Sequence, residues 1–408
     1  MAERALVLFD DAEAQAWMPL VLTRPAGELR FGALTQRERG ERVLRAPCIG
    51  HLTAMRLTGF DEPGAAPVLD PARLPRDRDL ILLSSRVVLS WRGQPTLPPS
   101  RPAPLVVGDE ICGWFLPAGA EPPPAEALLQ PALYRLEGHD PVQLEGETLS
   151  RIWELITRND EQVGRDIAGL FPAAGSSPPP GVHVLGAHPL ILGQGVSIEP
   201  GTLLDLRAGP IWLDDGCAIR AFTRLAGPAY VGKGTTVLGG GLAAVSIGPV
   251  CKVRGEVEES VILGYTNKAH DGYLGRSYVG AWVNLGALTT SSNLKNNYGT
   301  IRVWTPAGEM ETGEIKLGCL LGDHVKTGIG TLLNAGTVVG AGSNLFGSAM
   351  PPKLVPPFSW GTGTELGEYQ LDKFLAVAEV VMRRRDVMLT PGQREVLRAA
   401  WKEGRSGL

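Results

Sequence analysis

The sequence predicts two fold classes in series: an α/β domain, then a left-handed parallel β-helix of hexapeptide repeats, followed by a helical C-terminal tail. Three observations carry that prediction. A six-residue beat of aliphatic side chains recurs between residues 184 and 363. Ahead of it, short apolar runs alternate with helical patterns, as in α/β folds. Between the two lies AAGSSPPPG (173–181), a linker by composition. The expected boundaries are 1–172 for the α/β domain, 173–183 for the linker, 184–363 for the β-helix and 364–408 for the tail.

RALVLFDD (4–11) is a short apolar run ending in two acids, a buried first strand followed by a loop. Thr35 followed by Glu38 forms a capping-box pattern, so a helix is expected from about Thr35 to Leu44. A strand, a loop and a helix N-terminus make a ready anion site, because free N–H groups point outward there. Arg24 and Arg30 lie in that loop and are the candidate phosphate contacts. DLILLSS (79–85) and PLVVGDE (104–110) read as further buried strands. Residues 151–171 are helical by the spacing of Ile152, Leu155, Ile156, Val163, Ile167 and Leu170.

The repeat begins after the linker. Leu192, Ile198 and Leu204 open one run. Leu213, Ile219, Leu225, Val231 and Val237 form the next, with Cys217, Thr223, Ala229 and Thr235 at small positions between them. Tyr273, Val279 and Leu285 form a third, and Leu321, Thr327, Leu333, Val339 and Leu345 a fourth. Hexads of this kind are the flat sides of a triangular coil whose aliphatic residues stack into one core. The rhythm breaks at 239–272 and 291–316, and such breaks are expected to be loops thrown out on one face. The tail is expected to cap the open end of the solenoid.

The stretch from Tyr265 to Tyr298 concentrates the chemistry. It holds His270, Asp271, Lys268, Lys295 and several asparagines on the repeat. Lysine usage points the same way. The chain has no Lys before Lys233, and seven of its nine lie between Lys233 and Lys353. A preference for Arg across the genome is the plain explanation. Arg and Lys nevertheless differ wherever a compact ammonium is needed.

Composition excludes several classes. At 44% hydrophobic and 20% charged residues, the chain is ordinary for a globular protein. A net charge of −4 gives no support for nucleic-acid binding. No stretch approaches the ~18 apolar residues needed to span a membrane, and MAERALVLFDD lacks a signal-peptide pattern, so a cytoplasmic protein is expected. The five cysteines are scattered without CxxC spacing, which argues against a disulfide framework or a structural zinc site.

Six motifs carry a family resemblance: LTRPAGELRFGALT (22–35), CKVRGEVEES (251–260), NKAHDGYLG (267–275), WVNLGALTTSSNLKNNYG (282–299), GDHVKTGIGT (322–331) and PPKLVPPFSWG (351–361). Through them the chain resembles the alternative bacterial form of the bifunctional N-acetylglucosamine-1-phosphate uridyltransferase/glucosamine-1-phosphate acetyltransferase, over roughly residues 4–360. The resemblance implies a reduced, Rossmann-like nucleotidyltransferase domain and an acetyl-CoA-dependent N-acetyltransferase on the β-helix. It makes His270 the general base and Lys268 the holder of the sugar phosphate. Tyr273 and Asn284 would line the sugar pocket, and Asn293 or the Asn297–Tyr298 pair would supply further contacts. This chain has Lys-Ala-His where the better-known enzymes have Lys-Ala-Gly-His.

The chemistry agrees with that assignment. Acetyl transfer from a thioester needs an amine with its lone pair free. Imidazole, with an ordinary pKa of about 6.5, is suited to take the proton. Asp271 is the candidate orienting group for the ring. Considered alone, a His beside an Asp is more often a plain surface pair. The β-helices of this group form trimers with acyl-donor sites between neighbouring coils, which makes Lys326 and Lys353 candidate contacts for coenzyme A phosphates.

The N-terminal domain lacks the Gly-x-Gly and Pro-Lys elements of the classical nucleotidyltransferase loop. Asp10, Asp11 or Asp109 is the candidate holder of Mg²⁺ with UTP, since Mg²⁺ needs only one or two carboxylates plus phosphate. The leading expectation is a bifunctional enzyme making a UDP-N-acetylhexosamine. Two alternatives are a nucleotidyltransferase with the β-helix as trimer scaffold, and a non-catalytic sugar-nucleotide-binding assembly protein.

Overall fold

The computed structural model describes residues 4–93, 95–98, 100–134, 138–172 and 175–406; residues 173 and 174 of the expected linker lie outside them. The first domain is built on a six-stranded sheet. Its order is Cys48–Leu52, Arg4–Phe9, Asp79–Ser84, Glu110–Leu116, Ala103–Val107, Val142–Gln143. The first three strands are parallel, and the next two pair antiparallel. Strands buried on both faces read as continuous apolar runs, and RALVLF and DLILLS are such runs. Leu6, Leu8, Ile81 and Leu83 pack with Val43 and Leu44 on one side, and Val7, Phe9 and Leu82 with Trp114 on the other.

The capping box forms as expected. Thr35 Oγ1 accepts from the Glu38 amide at 3.1 Å, and Glu38 Oε2 accepts from the Thr35 amide at 2.8 Å, opening the helix Gln36–Leu44. The helix expected over 151–171 is two pieces, Glu154–Thr157 and Asn159–Leu170. The break falls at Arg158, whose φ of −119° and ψ of 6° leave the helical region.

The second part is a parallel β-solenoid with strands stacked in three columns, its faces. The first face holds nine strands, from Leu190–Leu192 to Leu354–Val355. The second runs from Ser197–Ile198 through Asn267–Lys268 and Asn284–Leu285 to Ser359–Gly361. The third runs from His183–Gly186 through Leu203–Leu206 to Tyr273–Gly275, beyond which Thr290–Ser291 pairs with Leu332–Leu333. Leu213, Ile219, Leu225, Val231 and Val237 are fully buried in its core, as the hexad pattern requires. Burying each such side chain contributes about 1.5–3 kcal/mol. The small positions lie at the corners, and Thr235 shows why they are polar. Its hydroxyl donates to Gly248 O at 2.8 Å and accepts from the Cys251 amide at 2.9 Å, satisfying groups that the strands leave over.

Several expectations need correction. Residues 239–272 do not leave the stack. They form coils of 15 to 17 residues, as the pairings Tyr230↔Ser246, Ser246↔Val261 and Val261↔Tyr278 show. Shortened coils lose the six-residue period without losing the fold. Leu274, not Tyr273, points into the core, and Leu190 is buried where Leu192 is only half-buried. The second break, 291–316, is a true excursion carrying the hairpin Arg302–Thr305 and Gly308–Glu311.

The tail helices Leu371–Arg383 and Pro391–Ser406 do not cap the open end. That role falls to Leu366–Glu368, which pairs antiparallel with Ser359–Gly361. The tail instead enters a core shared by both domains. There Trp17, Leu20 and Leu22 meet Tyr278, Trp282 and Leu320 of the solenoid and Phe374, Leu375 and Met382 of the tail. No helix among the described residues is long and apolar enough to cross a membrane.

Candidate functional site

His270 sits on the corner that joins Asn267–Lys268 of the second face to Tyr273–Gly275 of the third, and it is exposed. The preceding residue but one explains how this corner is held. Lys268 occupies the inward position of its strand, in register with Val253, where neighbouring coils carry aliphatic residues. Its ammonium is buried and donates to three backbone carbonyls: Arg254 O at 2.7 Å, Gly272 O at 2.8 Å and His270 O at 3.0 Å. Burial lowers it to about 8. The group that the resemblance assigns to the sugar phosphate is thus turned inward and pins the backbone around His270.

Asp271 does not reach for the imidazole. Its Oδ1 accepts from Arg254 Nε at 3.1 Å, an exposed pair. Tyr273 lies beside the corner with its phenol held on two sides. Asn293 Nδ2 donates to Tyr273 Oη at 2.8 Å, and Tyr273 Oη donates to Glu258 Oε2 at 3.4 Å. Burial, and then the Glu258 carboxylate, push the phenol up to about 12, so it stays a neutral donor. The ring folds back over Gly275, where an added Cβ would come within 2.1 Å of the phenol oxygen. Asn293 is thereby brought to the His270 corner. Asn297 and Tyr298 are in the exposed excursion beyond it, Asn297 Oδ1 accepting from the Gly299 amide and Tyr298 at 71% exposure.

Asn284 belongs to a second feature. On the second face the residues one before each inward position are Lys252, Asn267, Asn284, Lys326 and Asn344, stacked coil upon coil. The first four of them border a cavity of about 330 Å³ closed on its far side by Val381, Arg384 and Arg385 of the tail. Asn267 Nδ2 donates to Asn284 Oδ1 at 2.9 Å. Tyr265 and Trp282 form an aromatic wall, stacked with centroids 4.2 Å apart. Lys326 lines the cavity, with only a 3.4 Å contact to His324 O, and burial lowers its ammonium to about 8. Lys353 lies half-buried just before the last strand of the first face and does not line this cavity.

The N-terminal residues behave differently. Every residue from 19 to 36 is buried. Arg24 is an interdomain bolt, with Nε 2.8 Å from Asp323 of the solenoid and Nη2 2.9 Å from Glu62. Thr23 Oγ1 donates to the same Asp323 at 2.7 Å. Arg30 packs over the Tyr230 ring at 5.1 Å, and its amide donates to Tyr278 Oη at 2.8 Å. Neither guanidinium is open to a phosphate. The carboxyl ends of the parallel strands, where α/β sheets bind ligands, are also closed. Asp10 accepts from Ser85 Oγ at 2.7 Å, Thr53 Oγ1 at 2.5 Å and the Ala26 amide at 3.1 Å, and its burial raises its pKa. Asp11 caps the helix Ala12–Gln15, accepts from Ser84 Oγ at 2.9 Å, and pairs with Arg86 at 2.8 Å. With their oxygens so committed, Asp10 and Asp11 do not fit a Mg²⁺ site. Asp109 stands exposed on a separate turn, and among the described residues no three His, Cys, Asp or Glu gather to hold a metal.

Comparison with known proteins places this architecture. Residues 6–171 match the family described as sugar nucleotidyl transferase. The chain is 34% identical over 95 residues to a bifunctional sugar-1-phosphate nucleotidylyltransferase/acetyltransferase of Sulfurisphaera tokodaii, covering 23% of this chain and 24% of that protein. It is 35% identical over 88 residues to the bifunctional protein GlmU of Methanococcus maripaludis, covering 22% and 21%. Over these segments the chain is similar to bifunctional GlmU-type proteins. A third relative, GlmU of Methanocaldococcus jannaschii, is 35% identical over 86 residues, or 21% of each chain. The matched segments thus span under a quarter of these relatives. Among solved structures, an Arabidopsis UDP-N-acetylglucosamine acyltransferase is similar to this chain at 15% identity and a TM-score of 0.25, over 51% of this chain and 78% of that one.

The sequence reading missed Lys252, Tyr265, Trp282, Arg384 and Arg385. The first had a legible marker, since Lys252, Asn267, Asn284 and Lys326 each precede the inward residue of a coil. The tail arginines had none, because nothing local says which face a tail helix will cover.

Proposed function

We propose that the protein is a transferase of sugar-nucleotide biosynthesis, and that its solenoid N-acetylates a hexosamine 1-phosphate with acetyl-CoA. The observation that carries this reading is the exposed His270 on a corner pinned by Lys268, beside the Tyr273–Asn293 pair. In this scheme the imidazole takes a proton from the sugar ammonium. The freed amine then attacks the thioester carbonyl, and as the tetrahedral intermediate collapses to the amide the nitrogen's second proton goes to the departing sulfur, releasing coenzyme A as the thiol. Tyr273 and Asn293 orient the sugar, and Asn284 faces the neighbouring cavity.

The reading includes a homotrimer. Exposed apolar residues Leu288, Ile329 and Phe346 follow the second-face strands on successive coils. Leu288 is on the coil next to the His270 corner, its amide donating to Asp271 O at 2.9 Å. A second copy covering that column would also wall the His270 corner. Nucleotidyl transfer by the first domain has the family match in its favour, but it cannot use Arg24, Arg30, Asp10 or Asp11 as the sequence reading expected.

The test is a coupled assay with acetyl-CoA and a panel of hexosamine 1-phosphates, with light scattering for the oligomer. Transfer to one of them, lost in His270→Ala, is the expected result. Transfer unchanged in that variant overturns the mechanism. Pyrophosphate release from UTP and the N-acetylated product tests the first domain separately.

A further inference from the structure

The cavity between the second face and the tail is lined by cations alone among its charged residues. Lys252, Lys326, Arg384 and Arg385 line it, no carboxylate does, and none of the four forms an ion pair. Three buried guanidiniums elsewhere in this chain have carboxylate partners, Arg24 with Asp323, Arg39 with Asp166 and Arg86 with Asp11, while the buried Arg30 rests on the Tyr230 ring instead. Four like charges around one concavity repel each other; Lys252 and Arg384 are exposed, and Lys326 and Arg385 are half-buried. An anion bound among them would relieve that repulsion.

We propose that this cavity is a binding site for a phosphate ester, with Lys326 at its floor and the tail arginines as its outer wall. Three features choose phosphate over a carboxylate. The donors come from opposite sides, the solenoid face and the tail helix, which suits a tetrahedral group with oxygens in all directions. The Asn267–Asn284 bond leaves the amide N–H groups of Asn284 available as neutral donors. Lys326 offers three protons and uses one on a long 3.4 Å contact. The cavity's size, about 330 Å³, is at the small end of ligand pockets. It holds a phosphate and the ring or chain next to it, with Tyr265, Trp282 and Val381 as the apolar surface for that part. The tail is then a component of the binding apparatus and not only packing.

Two ligands of the proposed reaction carry this chemistry, the acceptor sugar phosphate and the phosphorylated end of the acyl donor, and the experiment separates them. Calorimetric titration at low salt uses glucosamine 1-phosphate, adenosine 3′,5′-bisphosphate and inorganic pyrophosphate as probes. Arg384→Ala/Arg385→Ala, on the tail surface, is expected to weaken binding of at least one probe roughly tenfold or more with an unchanged melting temperature. It should also flatten the salt dependence. Lys326→Met is expected to abolish that binding. Selective loss of the sugar phosphate assigns the acceptor, and selective loss of the bisphosphate assigns the donor. The inference fails if no probe binds, or if both variants bind as the wild type does. It is separable from the acyl-transfer reading. His270→Ala should bind the probes normally, and binding without any transfer in the wild type would sink the transfer scheme alone.

Discussion

Two regions of this chain gather polar side chains at the ends of strands, and they have opposite fates. At the carboxyl edge of the first sheet, Asp10, Asp11, Ser84, Ser85 and Arg86 bond to one another and are buried. At the solenoid corner and the neighbouring second face, His270 is exposed and Lys326 lacks a carboxylate partner. Both regions would pass a composition test for a site. The difference is whether donors and acceptors are already satisfied. A closed polar network specifies structure, whereas unspent hydrogen-bonding capacity in a concavity is what a ligand uses.

The contrast can be broken most severely at the corner. His270→Ala is expected to lower acetyl transfer by ~10²–10⁴, the usual contribution of a general base, with no change in melting temperature. Steady-state kinetics beside a thermal melt checks both halves. The counterpart at the closed interface is Arg24→Ala, which strands the buried carboxylates of Asp323 and Glu62. Removing one partner of a buried pair costs about 3–5 kcal/mol, measurable by denaturant unfolding. A phosphate-binding Arg24 would give the reverse pattern, lost UTP affinity at nearly constant stability.

A milder change sharpens the comparison. Gly275→Ala puts a methyl where the Tyr273 phenol lies, so transfer should fall roughly tenfold through loss of the Asn293–Tyr273 arrangement. Equal kcat in that variant would remove Tyr273 from the site. The smallest effect is a pH dependence. His324 is buried between Trp282 and Phe374, and burial holds its pKa well below 6.5. The unfolded chain therefore takes a proton that the folded one refuses, so stability falls as pH drops below about 6.5, by up to ~1.4 kcal/mol per unit. The slope of unfolding free energy against pH, compared between wild type and His324→Phe, isolates that term. A slope identical in the two would show that His324 protonates in the folded state.

How far the sequence could be read follows from the same logic. The hexad residues Leu213 to Val237 were legible because one coil repeats one environment, and periodicity reports it. Tyr273 was misplaced by one position because an aromatic in a regular slot reads as core, while Leu274 next to it is the buried residue. Coils of 15 to 17 residues were invisible for want of a fixed period. His270, Tyr273 and Asn293 are singled out through the family resemblance, and the structure brings Tyr273 and Asn293 into contact near the exposed His270. Arg24 and Lys268 were found but given the wrong chemistry, because their partners are Asp323 and the carbonyls of other coils. Which way a side chain faces, and what it meets 299 residues away, has no local sequence marker.

The shared core ties the two parts of the chain to each other's solubility. Trp17, Leu20 and Leu22 cover solenoid residues Tyr278, Trp282 and Leu320 that would otherwise be a bare apolar surface. The segment thus lines the solenoid as well as belonging to the first domain. Deleting the first domain would expose that surface, whatever reaction the domain performs. Cutting the chain at the linker should yield two fragments that are soluble only together.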